Sequence, residues 1–156
     1  MIQTRDIERF WSAYDDVRSA ANRSARLALF QSLYLDRATP GLRALIAARR
    51  YTLDQYVDAI EDYPLFWTSI RPLTRRATEA AAPLAKDLAI FRRLYPELRP
   101  ASITYAIGVL RTGGTTTGNM VLIGAEVALA DETVDVSELP NRCAAACAPS
   151  LRRAPL

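Results

Sequence analysis

The sequence predicts an α+β fold, with a helical N-terminal layer over residues 4–96 and then a small antiparallel or mixed β-sheet drawn from 102–129. Two observations carry this. Apolar residues recur three and four apart until about Tyr95, and from Ser102 they alternate. The 156 residues are 50% hydrophobic and 24% charged, enough for one domain with a real core and too few for two large ones. One α+β domain is expected over 1–140, with an irregular or disordered tail over 141–156.

The helices follow in order. Thr4 has N-cap chemistry, and Ile7, Phe10, Trp11, Tyr14 and Val17 then share one face. Asp6 and Glu8 sit in that first turn, where they oppose the positive end of the helix dipole. A second helix is expected from about Ser24, with Leu27, Phe30, Leu33 and Tyr34 on one side. Thr39-Pro40 opens a third, with Leu42, Leu45 and Ile46 inward. Thr52-Leu53-Asp54-Gln55 matches a capping box and opens a fourth, which carries Tyr56, Val57 and Ile60. Pro64, Pro72 and Pro83 lack the N–H a helix interior needs, so short helices are expected at 65–71 and 73–80. A longer helix over 84–95 would point Leu84, Leu88, Phe91 and Leu94 inward.

After Tyr95-Pro96 the pattern changes. Ile103, Tyr105, Ile107 and Val109 alternate to one face, predicting a strand over 102–110. Met120 begins a second extended run, expected to reach Leu129. The apolar side chains of Val121, Leu122, Ile123, Val127 and Leu129 suit a strand covered on both faces. With two or three strands, one sheet face is expected to stay wet, and self-association through that exposed sheet is expected.

Charge excludes several classes. The net charge is +3, and its arginine pairs (Arg49-Arg50, Arg75-Arg76, Arg92-Arg93, Arg152-Arg153) are scattered among acids. A nucleic-acid binder concentrates its charge on one element, so no nucleic-acid partner is expected. No run of eighteen apolar residues predicts a transmembrane helix. The start, MIQTRDIERFW, carries charge where a signal peptide has its apolar segment. Cys143 and Cys147 are spaced four apart, which suits neither a zinc ribbon nor a C-x-x-C redox pair.

Between the strands lies RTGGTTTGNM, residues 111–120. Gly113 to Gly118 has the G-x-x-x-x-G spacing of a phosphate-binding loop, but Asn119-Met120 replaces the Lys-Ser/Thr that would reach phosphate and magnesium. A strand-like run follows where a helix N-terminus should. A glycine hairpin loop with positive φ at Gly113 or Gly114 is the better reading. The adjacent pairs Asp15-Asp16 and Glu61-Asp62 lie on helices and diverge, and no histidine exists to activate a serine or cysteine.

The order Thr4-Arg5-Asp6-Ile7-Glu8-Arg9-Phe10-Trp11-Ser12-Ala13-Tyr14-Asp15, then Tyr34-Leu35-Asp36 and Gly41-Leu42, resembles the opening of a bacterial family of predicted zinc-dependent proteases. That family is related to the gliding-motility lipoprotein B group. Tyr95-Pro96, Gly108, Gly113-Gly114-Thr115 and Leu122-Ile123-Gly124-Ala125-Glu126 continue the resemblance, which covers residues 4 to about 140.

The resemblance implies a zincin-like N-terminal portion and a peptide or protein substrate. It implies zinc only for a full-length relative, and it leaves an exported or envelope location open. The family's His-Glu-x-x-His helix would lie just beyond Leu139-Pro140, where two histidines bind zinc and the glutamate acts as base. This chain has no histidine, so no cofactor is expected in it. The expectation is a truncated or frameshifted, inactive N-terminal, substrate-side portion of such a metallopeptidase. The alternative is a non-enzymatic peptide- or protein-binding domain. Gly113, Gly114, Thr115 and Glu126 are the candidate substrate-side residues, with residues 121–129 positioned to pair with extended peptide. For Glu126 a structural carboxylate, bonded to a loop amide or an arginine, outweighs a catalytic one.

Overall fold

The computed structural model of the chain describes residues 1–97, 101–141 and 143. An α+β fold is present, with helices first and a four-stranded mixed sheet after them. Cys147 and the rest of the expected tail, apart from Asn141 and Cys143, lie outside the described residues.

Strand β1 (Ile2–Gln3) precedes helix α1 (Arg5–Ser19). Thr4 occupies the N-cap position of α1, but its side chain makes no capping bond. Asp6 does more than face the dipole: fully buried, it accepts hydrogen bonds from the backbone N–H and hydroxyl of Thr39, joining two helix starts. Helix α2 (Arg23–Phe30) is capped by Asn22, one residue earlier than expected, and runs into a π-helical turn at Gln31–Leu35. Helix α3 (Pro40–Arg49) starts at the Thr39 cap, and α4 (Leu53–Asp62) carries the full capping box.

The three expected helices after Pro64 are a single element, α5 (Pro64–Leu94). Proline costs a helix interior about 3 kcal/mol, and the apolar stripe outweighs it here. Phe66, Ile70, Leu73 and Ala77 keep one phase straight through Pro72 and are buried. The inward placement expected for the last turns is corrected. Leu84 and Leu88 are half-buried, while Phe91 is 46% and Leu94 70% exposed. No described residue of α5 beyond Ala77 is fully buried.

Aromatic rings build the helical core. Phe10, Tyr34 and Phe30 meet with centroids 5.1–6.0 Å apart, and Trp67 lies 5.1 Å from Phe10. Buried indole N–H groups are satisfied, Trp67 by the Ala59 carbonyl at 2.7 Å and Trp11 by the Thr74 hydroxyl at 2.9 Å.

The sheet has the order β1-β2-β4-β3, with β2 (Ser102–Ala106) central and parallel to β1 and to β4 (Met120–Gly124). Strand β3 (Thr115–Thr117) pairs antiparallel with β4 and forms one edge. Both long strands stop earlier than expected. The first ends at Ala106, because the Ile107 backbone bonds to tyrosine side chains instead of a neighbouring strand. The second ends at Gly124, where helix α6 (Ala125–Ala128) begins.

Thr104, Ala106 and Leu122 face the helices, with α1 and α3 packed over them. Ile103, Tyr105, Val121 and Ile123 alternate to the other face and are half-buried. The outer sheet face is thus partly exposed, and the most exposed apolar side chains lie at the end of α5. Leu122 and Val127 are buried, and Val121, Ile123 and Leu129 half-buried, whereas four large exposed apolar side chains gather at 90–95.

Candidate functional site

The segment between β2 and β3, residues 107–114, is held from four directions. At its start the Ile107 carbonyl accepts from the hydroxyls of Tyr34 at 2.8 Å and Tyr56 at 3.1 Å, and the Tyr34 oxygen accepts the Ile107 N–H at 3.2 Å. Burial raises both phenols well above their ordinary range, so both stay protonated donors at neutral pH. At the other end Arg49, in the last turn of α3, donates to the Thr112 hydroxyl at 2.7 Å and the Gly114 carbonyl at 3.1 Å. The Thr112 hydroxyl bonds Gly114 in turn, accepting its N–H and donating to its carbonyl.

Glu126 supports the middle from below. It is fully buried in the first turn of α6, and its Oε1 accepts the Leu110 N–H at 3.2 Å. The amides of Gly108 and of Glu126 itself also favour the charged carboxylate. Burial pushes its pKa up to about 7, against the lowering effect of those amides. Oε2 has no hydrogen-bond partner, nor does the buried Tyr51 hydroxyl nearby. Two glycines make room here, Gly108 for the carboxylate and Gly124 for the Thr112 carbonyl. A Cβ at Gly108 would lie 2.9 Å from Oε1, and one at Gly124 would lie 2.2 Å from the Thr112 carbonyl.

Leu110, at the point of the Glu126 bond, has φ of +61°, in the left-handed region a leucine rarely occupies. Such strain persists only where the surroundings impose it, and the four anchors do so here. Leu110 and Arg111 line an open cleft of about 610 Å³, with Gln55, Asp58 and Asp62 of α4 opposite. Pro140 and Cys143 close its rim. Asn141 and Cys143 are helical, and the Cys143 N–H bonds the Pro140 carbonyl at 2.8 Å.

The candidate substrate-side residues separate by environment. Gly113 packs toward Val127 and Ala128 of α6, and Gly114 is tied to Arg49. Thr115 begins the sheet edge, and Gly118, at φ of +54°, leads the two-residue turn into β4. Positive φ thus falls at Gly118, not at Gly113 or Gly114. Glu126 is fully buried, and its contact is with the loop backbone at Leu110. Residues 121–124 are interior to the sheet, whose edge strands are β1 and β3. Sequence reasoning passed over Arg49, Tyr34 and Tyr56 as loop anchors. Their spacing marks helix faces, and nothing local connects them with residues more than fifty positions away.

Zinc does not fit this donor set. The chain has no histidine, and Asp58 in the cleft is committed to an ion pair with Arg23 at 2.7 Å. Among the described residues no group of three metal-binding side chains converges, and no helix is long and apolar enough to cross a membrane. No family model, curated protein or solved structure matches the chain.

Proposed function

We propose that the chain is the substrate-side portion of a zinc metallopeptidase and does not itself hydrolyse peptides. The observation that supports this is the cleft. It sets the clamped Leu110-Arg111 segment against Pro140 and Cys143, where the backbone turns helical. That is the place at which the family resemblance puts the metal-binding helix. Here the sequence reads Asn-Arg-Cys-Ala-Ala-Ala-Cys, with neither the two histidines nor the glutamate of that helix. The loop then serves as a rigid wall for an extended substrate.

Reading the gene beyond codon 140 in all frames tests the proposal. A His-Glu-x-x-His sequence in another frame is the expected result. Zinc-dependent turnover of a protein substrate by this chain would overturn it.

One observation favours a peptide-binding domain with no lost catalysis: β3 is an open antiparallel edge, with Thr116 and Thr117 exposed. Thr117 pairs with Met120 across the turn, so by the alternation of antiparallel pairing the backbone of Thr116 points outward. A clean stop in the gene, with no such motif in any frame, would favour this reading.

A further inference from the structure

We propose that the proton of Glu126 is a latch on the cleft wall: while it is held, the Leu110-Arg111 backbone stays closed, and its loss loosens that backbone. The cleft is the one proposed above for an extended substrate, but the latch needs no particular occupant.

Leu110 touches both the carboxyl and the cleft. Its side chain lines the cleft, and its N–H is bonded to Glu126 Oε1 at 3.2 Å. The backbone of one residue thus stands between a fully buried carboxyl and an open, wet surface.

No positive charge compensates that carboxyl. Its Oε2 has no hydrogen-bond partner, and the charges around it are committed elsewhere. Arg49 of α3 donates to Thr112 and Gly114, and Arg111 of the segment itself reaches Gln55 at 3.4 Å. From α5, packed on α6, Arg76 pairs with Asp131 at 2.9 Å. The phenols of Tyr34, Tyr51 and Tyr56 stay neutral, and Asp6 of α1, beyond those rings, bonds Thr39 and brings no positive charge. Protonated, Glu126 is neutral, and Oε1 still accepts the Leu110 N–H. Ionised, it leaves a full charge among amide dipoles with no cation, a state relieved only by water.

The segment is the part that yields. Leu110 is held at φ of +61°, and release recovers that strain. Val109 and Leu110 both face the cleft, so a small outward shift wets them without dismantling the helical core. Tyr34 and Tyr56 pin Ile107, and Arg49 pins Thr112, which confines the movement to 108–111.

The direction follows from the two states. In the closed wall the carboxyl titrates at about 7, and in an open one at the ordinary 4.5, so the proton favours closure. The open fraction should rise by up to about tenfold per pH unit between those values and level off above them.

Residue-by-residue amide exchange of the full chain at pH 5, 6 and 7, corrected for the intrinsic rate, tests this. Protection of the Leu110 amide should fall by up to about tenfold per pH unit. It should also lie below that of the Trp67 amide at each pH, as for an opening smaller than global unfolding. In Glu126→Gln the fall at Leu110 should vanish. If that variant fails to fold, the carbon-13 shift of the Glu126 carboxyl in the parent decides, with a midpoint near 7 expected. Protection at Leu110 independent of pH, a fall retained in Glu126→Gln, equal protection at Leu110 and Trp67, or a carboxyl midpoint in the ordinary range near 4.5 would each overturn the proposal.

Discussion

The helical body and the segment 107–114 are held by opposite means. In the body, large rings pack against one another, and the two buried indole N–H groups are satisfied within it. Trp67 bonds a carbonyl only eight residues away. In the segment Ile107, Val109 and Leu110 are buried too, but the backbone path is fixed by polar bonds. Its shape comes from hydrogen bonds to Tyr34, Tyr56, Arg49 and Glu126, each reaching from another element. Apolar packing is redundant and insensitive to pH; a clamp of discrete polar bonds is neither. The body should therefore fail globally when it fails, and the segment locally.

The largest effect should come from the body. Trp67 is fully buried, touches Phe10, Trp11, Tyr14 and Phe66, and donates to Ala59. Trp67→Ala should cost about 3–5 kcal/mol, a large part of a domain's whole stability, and lower the denaturant midpoint without changing the cleft residues selectively. Chemical denaturation followed by circular dichroism checks it. A loss below about 1 kcal/mol would show that the rings are not the main support of the fold.

The second effect separates the regions by pH. The Glu126 carboxyl has a folded pKa of about 7 against an ordinary 4.5. The folded state therefore holds this proton more tightly than the unfolded one. Its contribution is fully present below about pH 4.5 and is lost as pH rises through the folded value, on the order of 3 kcal/mol in total. The groups facing it, Tyr51, Tyr56 and Tyr34, are themselves raised by burial and remain neutral across this window. Glu126→Gln mimics the protonated form, so the variant should gain relative to the parent as pH rises from 5 to 8. Parallel stability curves for parent and variant over that range would refute the assignment.

This contrast also explains what could be read in advance. Periodicity exposes apolar faces, so Phe10, Phe30, Tyr56 and the Thr52 capping box were legible. The proline breaks were misread because Pro72 was judged locally, while the stripe through Ile70, Leu73 and Ala77 that overrides it runs past the proline on both sides. The end of the second strand was hidden for a similar reason. Val121 to Leu129 is apolar enough to extend, but Glu126 reaches the Leu110 amide only if the chain turns helical after Gly124. The four anchors were illegible because each bond joins elements far apart in sequence. Tyr34 and Ile107, for example, are 73 residues apart.

A third variant probes a single anchor. Arg49→Ala removes the donor to Thr112 and Gly114, both at the segment's outer end. About 1–2 kcal/mol of stability should go, with faster amide exchange concentrated at 112–116 and unchanged exchange at Trp67. Uniformly faster exchange would mean that the segment and the body open together, and the contrast between them would fail.

The smallest effect belongs to the one part of the helical layer that resembles neither region. Leu94 sits at the end of α5, 70% exposed, although its sequence pattern is that of an inward residue. Burial makes a leucine worth about 1.5–3 kcal/mol, and here most of that surface is already in contact with water. In dilute monomer Leu94→Ala should therefore change stability by no more than about 0.5 kcal/mol, the range of surface substitutions. The same change in the buried half of the helix, Leu73→Ala, should cost about 2–5 kcal/mol, since Leu73 is 5% exposed. Measuring both in one denaturation series fixes where along a continuous helix the domain ends. Equal costs at the two positions would mean that the end of α5 is covered as closely as its first half, against the exposure of Leu94.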